Sequence, residues 1–201
     1  MKTAAKTIDY YYTHNSPWTF LGHKRLLAMA KHAEATIRYK PADYGRIFAV
    51  SGGLPLQKRA PQRQAYRVFE LKRWSAHLGE AINLHPKYFP VDPSPAARLA
   101  IAADKEGHDL GPLSHAIMRA VWQEERNIAD PDTLAAIAAS AGLDGKALLK
   151  ASAAPEIEAA YLRNTDEAVE AQVFGAPFYI YRGEPFWGQD RLEFLEHALK
   201  K

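Results

Sequence analysis

The sequence predicts an α/β protein in which both ends of the chain build one β-containing unit and the middle of the chain is helical. Three observations support this prediction. The chain opens with β-forming residues that lead into a helix start, continues through a long alanine-rich helical stretch at residues 95–172, and closes with a hairpin and a helix. This order indicates one α/β fold that is interrupted by a helical insertion.

The first predicted unit is a strand, a helix and a second strand. Ile8 and the tyrosines after it predict a strand over residues 6–12, and apolar spacing predicts a helix over residues 17–33. A short strand follows at residues 36–39, and this arrangement favours a parallel strand pair. The pattern then fails over residues 43–61, where glycine and proline predict an exposed loop.

The junction between the first strand and the first helix holds Ser16, the first candidate functional residue. Pro17 follows at the first helical position, where its missing N–H costs nothing. Ser16 is therefore expected beside unpaired N–H groups, at the positive end of the helix, which favours an anion. A serine in this position is also an ordinary helix cap, and the local pattern alone leaves both interpretations open.

The predicted helix at residues 62–79 is unusually basic. Arg59, Arg63 and Arg67 recur every four residues and predict one stripe. A solvated face is the common explanation for such a stripe, and an anion-facing surface is the other, because guanidinium groups bind carboxylates in bidentate fashion. Nucleic-acid binding is not expected, because the stripe is short and acidic residues elsewhere nearly balance it.

The second half of the chain has clear element signals. Four prolines in residues 85–95 predict an extended path, and residues 95–172 predict helices. Within this stretch Asp130 and Asp144 are each expected to cap a helix, and Gly142 is expected to end one. Residues 178–187 predict a hairpin, and Asp190 is expected to open a last helix. The position of Pro177 directly before a strand suits a cis peptide bond, since only bonds to proline adopt cis cheaply.

Composition excludes several classes of function. The chain has 201 residues, no cysteine and a formal net charge of +3, so disulfides, thiolate metal sites and cysteine catalysis are excluded. No apolar run reaches membrane-spanning length and no signal-peptide core is recognised, which predicts a soluble, cytoplasmic protein with no membrane partner. The eight histidines show no metal-ligand spacing, so no metal site is expected, and His14 is predicted to be a solvated loop residue.

Three motifs point to a known family: Ser-Pro-Trp-Thr-Phe-Leu-Gly at residues 16–22, Phe-Gly-Ala-Pro at 174–177, and Phe-Trp-Gly-Gln-Asp-Arg-Leu at 186–192. On these motifs the sequence resembles the 2-hydroxychromene-2-carboxylate isomerase and kappa-class glutathione transferase group of the thioredoxin superfamily. The resemblance covers nearly the whole chain. It implies a thioredoxin-like fold with a large all-helical insertion, in the layout shared by DsbA and the kappa class.

The same resemblance implies how the chain divides. Residues 1–58 and 170–201 are expected to form a discontinuous thioredoxin-like domain, and residues 59–169 a helical insertion domain. In related disulfide oxidoreductases a Cys-x-x-Cys motif occupies the strand–helix junction. Because Ser16 and its neighbours stand there instead, redox exchange is excluded, and the resemblance makes Ser16 the catalytic residue that stabilises the thiolate of bound glutathione.

Other site residues follow from the resemblance position by position. The peptide group of Ala176, before Pro177, is expected to pair with the tripeptide backbone of glutathione like an added strand. Asp190, with Gln189 beside it, is expected to meet the γ-glutamyl ammonium group. Arg63 stands where the kappa class has a lysine near the glutathione carboxylate.

Two positions depart from the family pattern. Glu70 stands where the kappa class has an aspartate, and Gly53 stands where the family usually has an asparagine that contacts glutathione. The loss of that side-chain contact at Gly53 leaves the backbone amides of Gly52 and Gly53 as the available substitutes.

The implied activity is a glutathione-dependent isomerisation in aromatic degradation, with an aromatic carboxylate as substrate. The thiolate adds to the unsaturated substrate, rotation follows about the bond made single, and the thiolate leaves, so glutathione is a cofactor and is not consumed. A kappa-type glutathione transferase, which keeps the adduct, is one alternative. A non-catalytic thioredoxin-fold binding protein is another, and a homodimer is among the assemblies that the resemblance allows.

Overall fold

A four-stranded mixed sheet joins the two ends of the chain in the computed structural model, which describes residues 5–201. The strand order is β2-β1-β3-β4. Strand β1 pairs with β2 in parallel and with β3 in antiparallel fashion, and β3 and β4 form a hairpin. The parallel pair and the hairpin predicted from the sequence are both confirmed. The strands are β1 Thr7–Tyr12, β2 Thr36–Pro41, β3 Phe178–Tyr181 and β4 Glu184–Trp187.

The described residues form nine α-helices and two short 3₁₀ helices. The 3₁₀ helices cover Leu56–Lys58 and Gln189–Arg191. The α-helices are α1 Pro17–His32, α2 Tyr44–Ser51, α3 Pro61–Leu78, α4 Ser94–Lys105, α5 Leu110–Trp122, α6 Pro131–Ser140, α7 Gly145–Ser152, α8 Pro155–Glu170 and α9 Leu192–Leu199.

Both faces of the sheet are covered. Since successive side chains of β1 point to opposite faces, each face carries its own cluster of buried side chains. Tyr10 and Tyr12 are fully buried on the face covered by α1 and α9, where Leu26 and Leu195 also lie. Tyr11 lies on the other face, in a smaller cluster with residues of α2 and α8. Helices α4 to α7 contribute most of a third cluster, the largest of the three, which extends to α1, α3 and α8.

The structure corrects the sequence prediction over residues 43–61. An exposed loop was expected throughout, but Tyr44–Ser51 form helix α2. Asp43 caps this helix by accepting hydrogen bonds from the backbone amides of its first turn, and Ile47 on the inner side of the helix is fully buried. The glycine that suggested a turn, Gly52, is the left-handed residue at which α2 ends, with a φ of 75°.

The alanine-rich middle is a series of helices with defined ends, although the sequence predicted a helical stretch from 95 to 172. Asp109, Asp130 and Asp144 each cap a helix through their side chains. Two of these caps, Asp130 and Asp144, were predicted and are confirmed. Gly142, with a φ of 81°, follows the end of α6 as predicted. Residues 85–93 form neither helix nor strand before α4 begins, but the extended path that the prolines predicted is wrong, because the chain turns at residues 87–88 and bends at residue 90.

Two further boundaries differ from the prediction. The arginine stripe is not continuous on one helix, because Arg59 lies before α3 and donates a hydrogen bond to the carbonyl of Leu54 at 2.8 Å. Asp190 lies in the 3₁₀ turn that precedes α9, and Arg191 occupies the cap position of that helix. The bond between Ala176 and Pro177 is cis, as predicted. In residues 5–201, no helix combines the length and the apolar character that crossing a membrane requires.

Candidate functional site

Ser16 links the start of helix α1 to the segment before Pro177. Its side chain is 9% exposed, and its Oγ atom accepts a hydrogen bond from the Thr19 amide at 3.1 Å. The Ser16 hydroxyl donates in turn to the carbonyl oxygen of Ala176 at 3.2 Å. The helix-cap role is therefore present, and the same hydroxyl also lies where the two candidate segments of the site meet.

The segment around Pro177 leads directly to the second group of candidate residues. The amide of Gly188 donates to the carbonyl of Pro177 at 2.9 Å, which joins the cis-proline turn to the 3₁₀ turn that holds Asp190. The N–H of Ala176 makes no hydrogen bond to another described residue, and neither does the N–H of Trp18 in the first turn of α1. The structure thus places Ser16 beside two free backbone donors, which suit an anionic or peptide-like ligand.

Gln189 and Asp190 lie at this edge in different surroundings. Gln189 is 2% exposed, and its Oε1 atom accepts a hydrogen bond from Arg25 of α1 at 2.7 Å. Asp190 is exposed, and its carboxylate pairs with the neighbouring Arg191 at 2.6 Å. Asp190 therefore presents a charge at the surface, while the side-chain oxygen of Gln189 holds α1 against the last turn.

The remaining residues predicted from the resemblance lie further along the chain. Arg63 is exposed on the first turn of α3 and forms no hydrogen bond or ion pair through its side chain with the described residues. Glu70 is occupied by an ion pair with Arg73 at 2.6 Å. A Cβ atom on Gly53 would lie 2.2 Å from Cδ1 of Phe48, so the ring of Phe48 fills the space that an asparagine side chain would need.

His14 is not the solvated loop residue that was expected. Its side chain is fully buried and packs edge-on against Tyr12, with ring centroids 5.1 Å apart. Burial, with a smaller contribution from His23, lowers the pKa of His14 to about 3, so the ring is neutral. The signal that was missed is the alternation of β1 continued two positions past its end at Tyr12, which puts His14 on the same face as buried Tyr10 and Tyr12.

A second buried histidine, His23, lies on the inner side of α1. Nδ1 of His23 lies 3.2 Å from the hydroxyl of Tyr10, and its Nε2 lies 2.9 Å from the carbonyl of Gly111. Since a carbonyl only accepts, Nε2 carries the proton and donates, and Nδ1 accepts from Tyr10. Burial lowers the pKa of His23 to about 4, which keeps this neutral tautomer in place.

Sequence reasoning also missed the contact made by Asn15. Its Nδ2 atom donates to the carbonyl of Val91 at 2.6 Å, across 76 positions of the chain. This bond fastens the Ser16 turn to the proline-rich segment, in which Phe89 packs against Trp122 with ring centroids 4.8 Å apart. No local pattern reports such a contact, because an asparagine before a helix is equally suited to a simple turn.

The described residues contain no group of three or more acidic or histidine side chains placed to hold a metal ion.

A mixed sheet that carries a cis-proline turn opposite the N-terminus of α1 defines the thioredoxin-like class of protein. The chain belongs to the family described as the DSBA-like thioredoxin domain, whose model matches residues 7–200. The predicted thioredoxin-like fold of DsbA type is confirmed.

Individual relatives confirm the resemblance stated for the sequence. The chain is 30% identical to a 2-hydroxychromene-2-carboxylate isomerase of Pseudomonas putida, over 96% of this chain and 93% of that protein. It is 24% identical to human Glutathione S-transferase kappa 1, over 96% of this chain and 91% of the relative. A solved 2-hydroxychromene-2-carboxylate isomerase structure superposes with a TM-score of 0.80 at 26% identity, covering 96% of this chain and 94% of the other.

Proposed function

We propose that this protein is a glutathione-dependent isomerase of the 2-hydroxychromene-2-carboxylate isomerase type. The observation that carries the proposal is the position of Ser16, whose hydroxyl lies at the N-terminus of α1 and contacts the Ala176 carbonyl before the cis-proline. The activity named for the relatives supports the same reaction class.

The residues present fit glutathione at this edge. The free N–H of Ala176 is available to a peptide backbone, and Asp190 offers a surface carboxylate to an ammonium group. Arg63 lies on α3 without a side-chain partner among residues 5–201, and it is proposed to bind a glutathione carboxylate. Gln189 is proposed to position the turn that holds Asp190, because its side-chain oxygen already accepts a hydrogen bond from Arg25.

Glutathione, when bound, supplies a nucleophilic thiol to this site. Ser16 is proposed to turn its hydroxyl from the Ala176 carbonyl toward that sulfur and to stabilise the thiolate form. A free thiol has a pKa of about 8.5, and a hydroxyl donor at a helix N-terminus is expected to lower it by about two units, or ~2.7 kcal/mol. Ser16 needs no general base for this task, because it donates a hydrogen bond and does not attack.

The proposal extends to the setting of the reaction. The second substrate is an aromatic carboxylate, the compartment is the cytoplasm, and a homodimer is the assembly to look for. The helical segment of residues 59–169 is proposed to act as a separate insertion domain beside the thioredoxin-like domain of residues 1–58 and 170–201.

A kappa-type glutathione transferase is the second candidate, because the human relative carries that name at 24% identity over most of both chains. Product analysis with 2-hydroxychromene-2-carboxylate separates the two. An isomerase converts it to the open trans-hydroxybenzylidenepyruvate only when glutathione is added, and returns the glutathione unchanged. A stable conjugate would establish the transferase, and a chain that binds no glutathione would leave only a thioredoxin-fold binding protein.

A further inference from the structure

Arg67 is a half-buried cation that lacks a charged partner in the part of the chain that the structure describes. No hydrogen bond or ion pair joins its guanidinium to another residue of 5–201, whereas Arg73, Arg98 and Arg119 are each paired with a glutamate. None of its nitrogen atoms is among the fully buried, unpartnered ones, so they remain open to solvent. A half-buried guanidinium that keeps its donors accessible is suited to a bidentate anion.

A second cation increases the attraction for an anion at this point. Arg59 lies close enough to repel Arg67, and burial together with that repulsion lowers the pKa of Arg67 to about 10. Arg59 is itself partly buried and is held through its Nε atom by the carbonyl of Leu54. Two neighbouring guanidinium groups without a carboxylate among residues 5–201 create a local positive potential that an anionic ligand would relieve.

The surroundings of Arg67 are aromatic. Its guanidinium carbon lies 5.4 Å from the ring centroid of Phe89 and 5.9 Å from that of Trp122. Both distances are within the range of cation–π contacts, which leave the guanidinium N–H groups available to a ligand. Phe89 is only partly buried, so a flat ligand whose carboxylate reaches Arg67 has an aromatic surface to pack against.

A hydrogen bond connects the segment that holds Phe89 to the turn that holds Ser16. Phe89 is two residues before Val91, whose carbonyl accepts the 2.6 Å hydrogen bond from Asn15, the residue next to Ser16. We propose that Arg67 binds the carboxylate of the aromatic substrate, with Arg59 reinforcing the charge and Phe89 contacting the substrate ring. This inference rests on the proposed function for the position of the reacting group, and it makes Arg67 a specificity-determining residue.

Calorimetry with an unreactive bicyclic probe tests the assignment. Chromone-2-carboxylate and its neutral carboxamide are titrated into the full chain with S-methylglutathione present, which has no free thiol. Arg67→Met keeps an apolar stem over Phe89 and is expected to weaken binding of the carboxylate by about tenfold or more while leaving the carboxamide unchanged. Lys72→Gln, which removes one charge from an exposed position of the same helix, is expected to change neither.

Affinity for glutathione itself distinguishes the two sources of carboxylate. Arg67→Met is expected to bind glutathione as the wild type does, and a selective loss of glutathione would overturn the assignment to the aromatic substrate. Equal carboxylate binding by Arg67→Met and the wild type would overturn it too. Should Arg67→Met not fold, protection of Arg67 in the wild type from phenylglyoxal by chromone-2-carboxylate is the deciding measurement, and absence of protection rejects the proposal.

The proposed function and this inference fail in different ways. A wild type that binds chromone-2-carboxylate through Arg67 but shows no glutathione-dependent isomerisation would refute the function alone. If the wild type and Arg67→Met isomerise the substrate equally well with glutathione, the inference alone is refuted.

Discussion

At the residue scale, Ser16 combines a cap and a proposed catalytic donor in one hydroxyl, and mutation separates the two. Ser16→Ala removes the hydrogen bond from the Thr19 amide, which is expected to cost about 1 kcal/mol of stability. It also removes the proposed thiolate donor, which is expected to lower turnover by ~10²-fold. Urea unfolding and initial rates at saturating glutathione measure the two effects.

The control for this prediction is a cap of the same kind elsewhere in the chain. Asp144 caps α7 by accepting from the Ala147 amide at 3.0 Å, and no hydrogen bond joins it to the segment of Ala176 within residues 5–201. Asp144→Ala is expected to lose a similar amount of stability while keeping full turnover. If Ser16→Ala also keeps full turnover, Ser16 serves only as a cap.

Asp190 is expected to contribute to glutathione affinity and to contribute little to the stability of the fold. Within residues 5–201 its carboxylate pairs only with the exposed, adjacent Arg191, and such surface pairs contribute between about 0 and 1 kcal/mol. A lost charged hydrogen bond to a bound ammonium costs ~1.5–3 kcal/mol, so Asp190→Asn should weaken glutathione binding by roughly tenfold or more. Calorimetry at one salt concentration measures the affinity, and a melting curve measures the stability.

Arg191→Gln is the matched control, because it breaks the same ion pair and leaves the Asp190 carboxylate in place. It is expected to bind glutathione no more weakly than the wild type. A lower melting temperature for Asp190→Asn with unchanged affinity would show that the carboxylate serves the fold, and would remove Asp190 from the proposed site.

Local residue chemistry made some of the site predictable from the sequence. Ser16 before a proline and Pro177 before a strand each carry a short-range signature. The structure brings the two segments into contact, because Ser16 bonds to Ala176, 160 positions away in sequence. The bond of Asn15 to Val91 and the packing of Arg67 on Phe89 carry no such signature. They depend on how α3 and the proline-rich segment dock, which tertiary packing decides.

At the element scale, helix α2 shows why a short helix escapes sequence analysis. Eight residues offer too few turns for a periodic signal, and only Tyr44 and Ile47 in it are buried. Its existence depends on the cap at Asp43 and on packing over the second face of the sheet, both of which appear only in three dimensions. The long, amphipathic or capped helices were predictable, because each carries its own start and end signals.

The end of α2 also explains a departure from the family pattern, and this leads to a test. Because Phe48 fills the space beside Gly53, Gly53→Asn forces the ring to move and is expected to destabilise the fold by ~1–3 kcal/mol. Gly52→Asn is the control, since nothing lies within 4 Å of a Cβ there and asparagine tolerates its positive φ.

Urea unfolding of the two variants decides this prediction. Gly52→Asn is expected to lose much less free energy of unfolding than Gly53→Asn. The double variant Phe48→Ala with Gly53→Asn is expected to recover part of the free energy that Gly53→Asn loses, because the truncated side chain leaves room for the asparagine. Equal stability of Gly53→Asn and the wild type would show that Phe48 rotates away without cost, and that glycine is not required for packing.

At the scale of the whole molecule, the stability of the fold is tied to two neutral histidines. His14 is fully buried with both ring nitrogens lacking a partner among the described residues, and His23 is held by Tyr10 and Gly111. Desolvation is the main cause that lowers the pKa of each below the ordinary value of 6.5, to about 3 and about 4. A charged imidazolium would be buried with no carboxylate acting on it at His14, and with only a minor attraction from Asp109 at His23.

Folding should therefore weaken as the solution becomes acidic. Above pH 6.5 both histidines are neutral in the folded and unfolded chains, and their full contribution is present. As the pH falls from 6.5 toward about 4 for His23 and about 3 for His14, each histidine becomes protonated in the unfolded chain while it stays neutral in the folded chain. Each histidine then removes about 1.4 kcal/mol of stability per pH unit.

His14→Phe isolates one of these contributions, because phenylalanine keeps an aromatic ring beside Tyr12 and cannot take up a proton. Between pH 6.5 and 4.5 its free energy of unfolding should fall less steeply than that of the wild type, by about 1.4 kcal/mol per pH unit. Carboxylates that titrate in the same range affect both proteins alike, so the difference between the two curves reports His14. Urea unfolding at pH 7.5, 6.5, 5.5 and 4.5 gives both curves, and parallel curves would mean that His14 is protonated in the folded protein or reached by water.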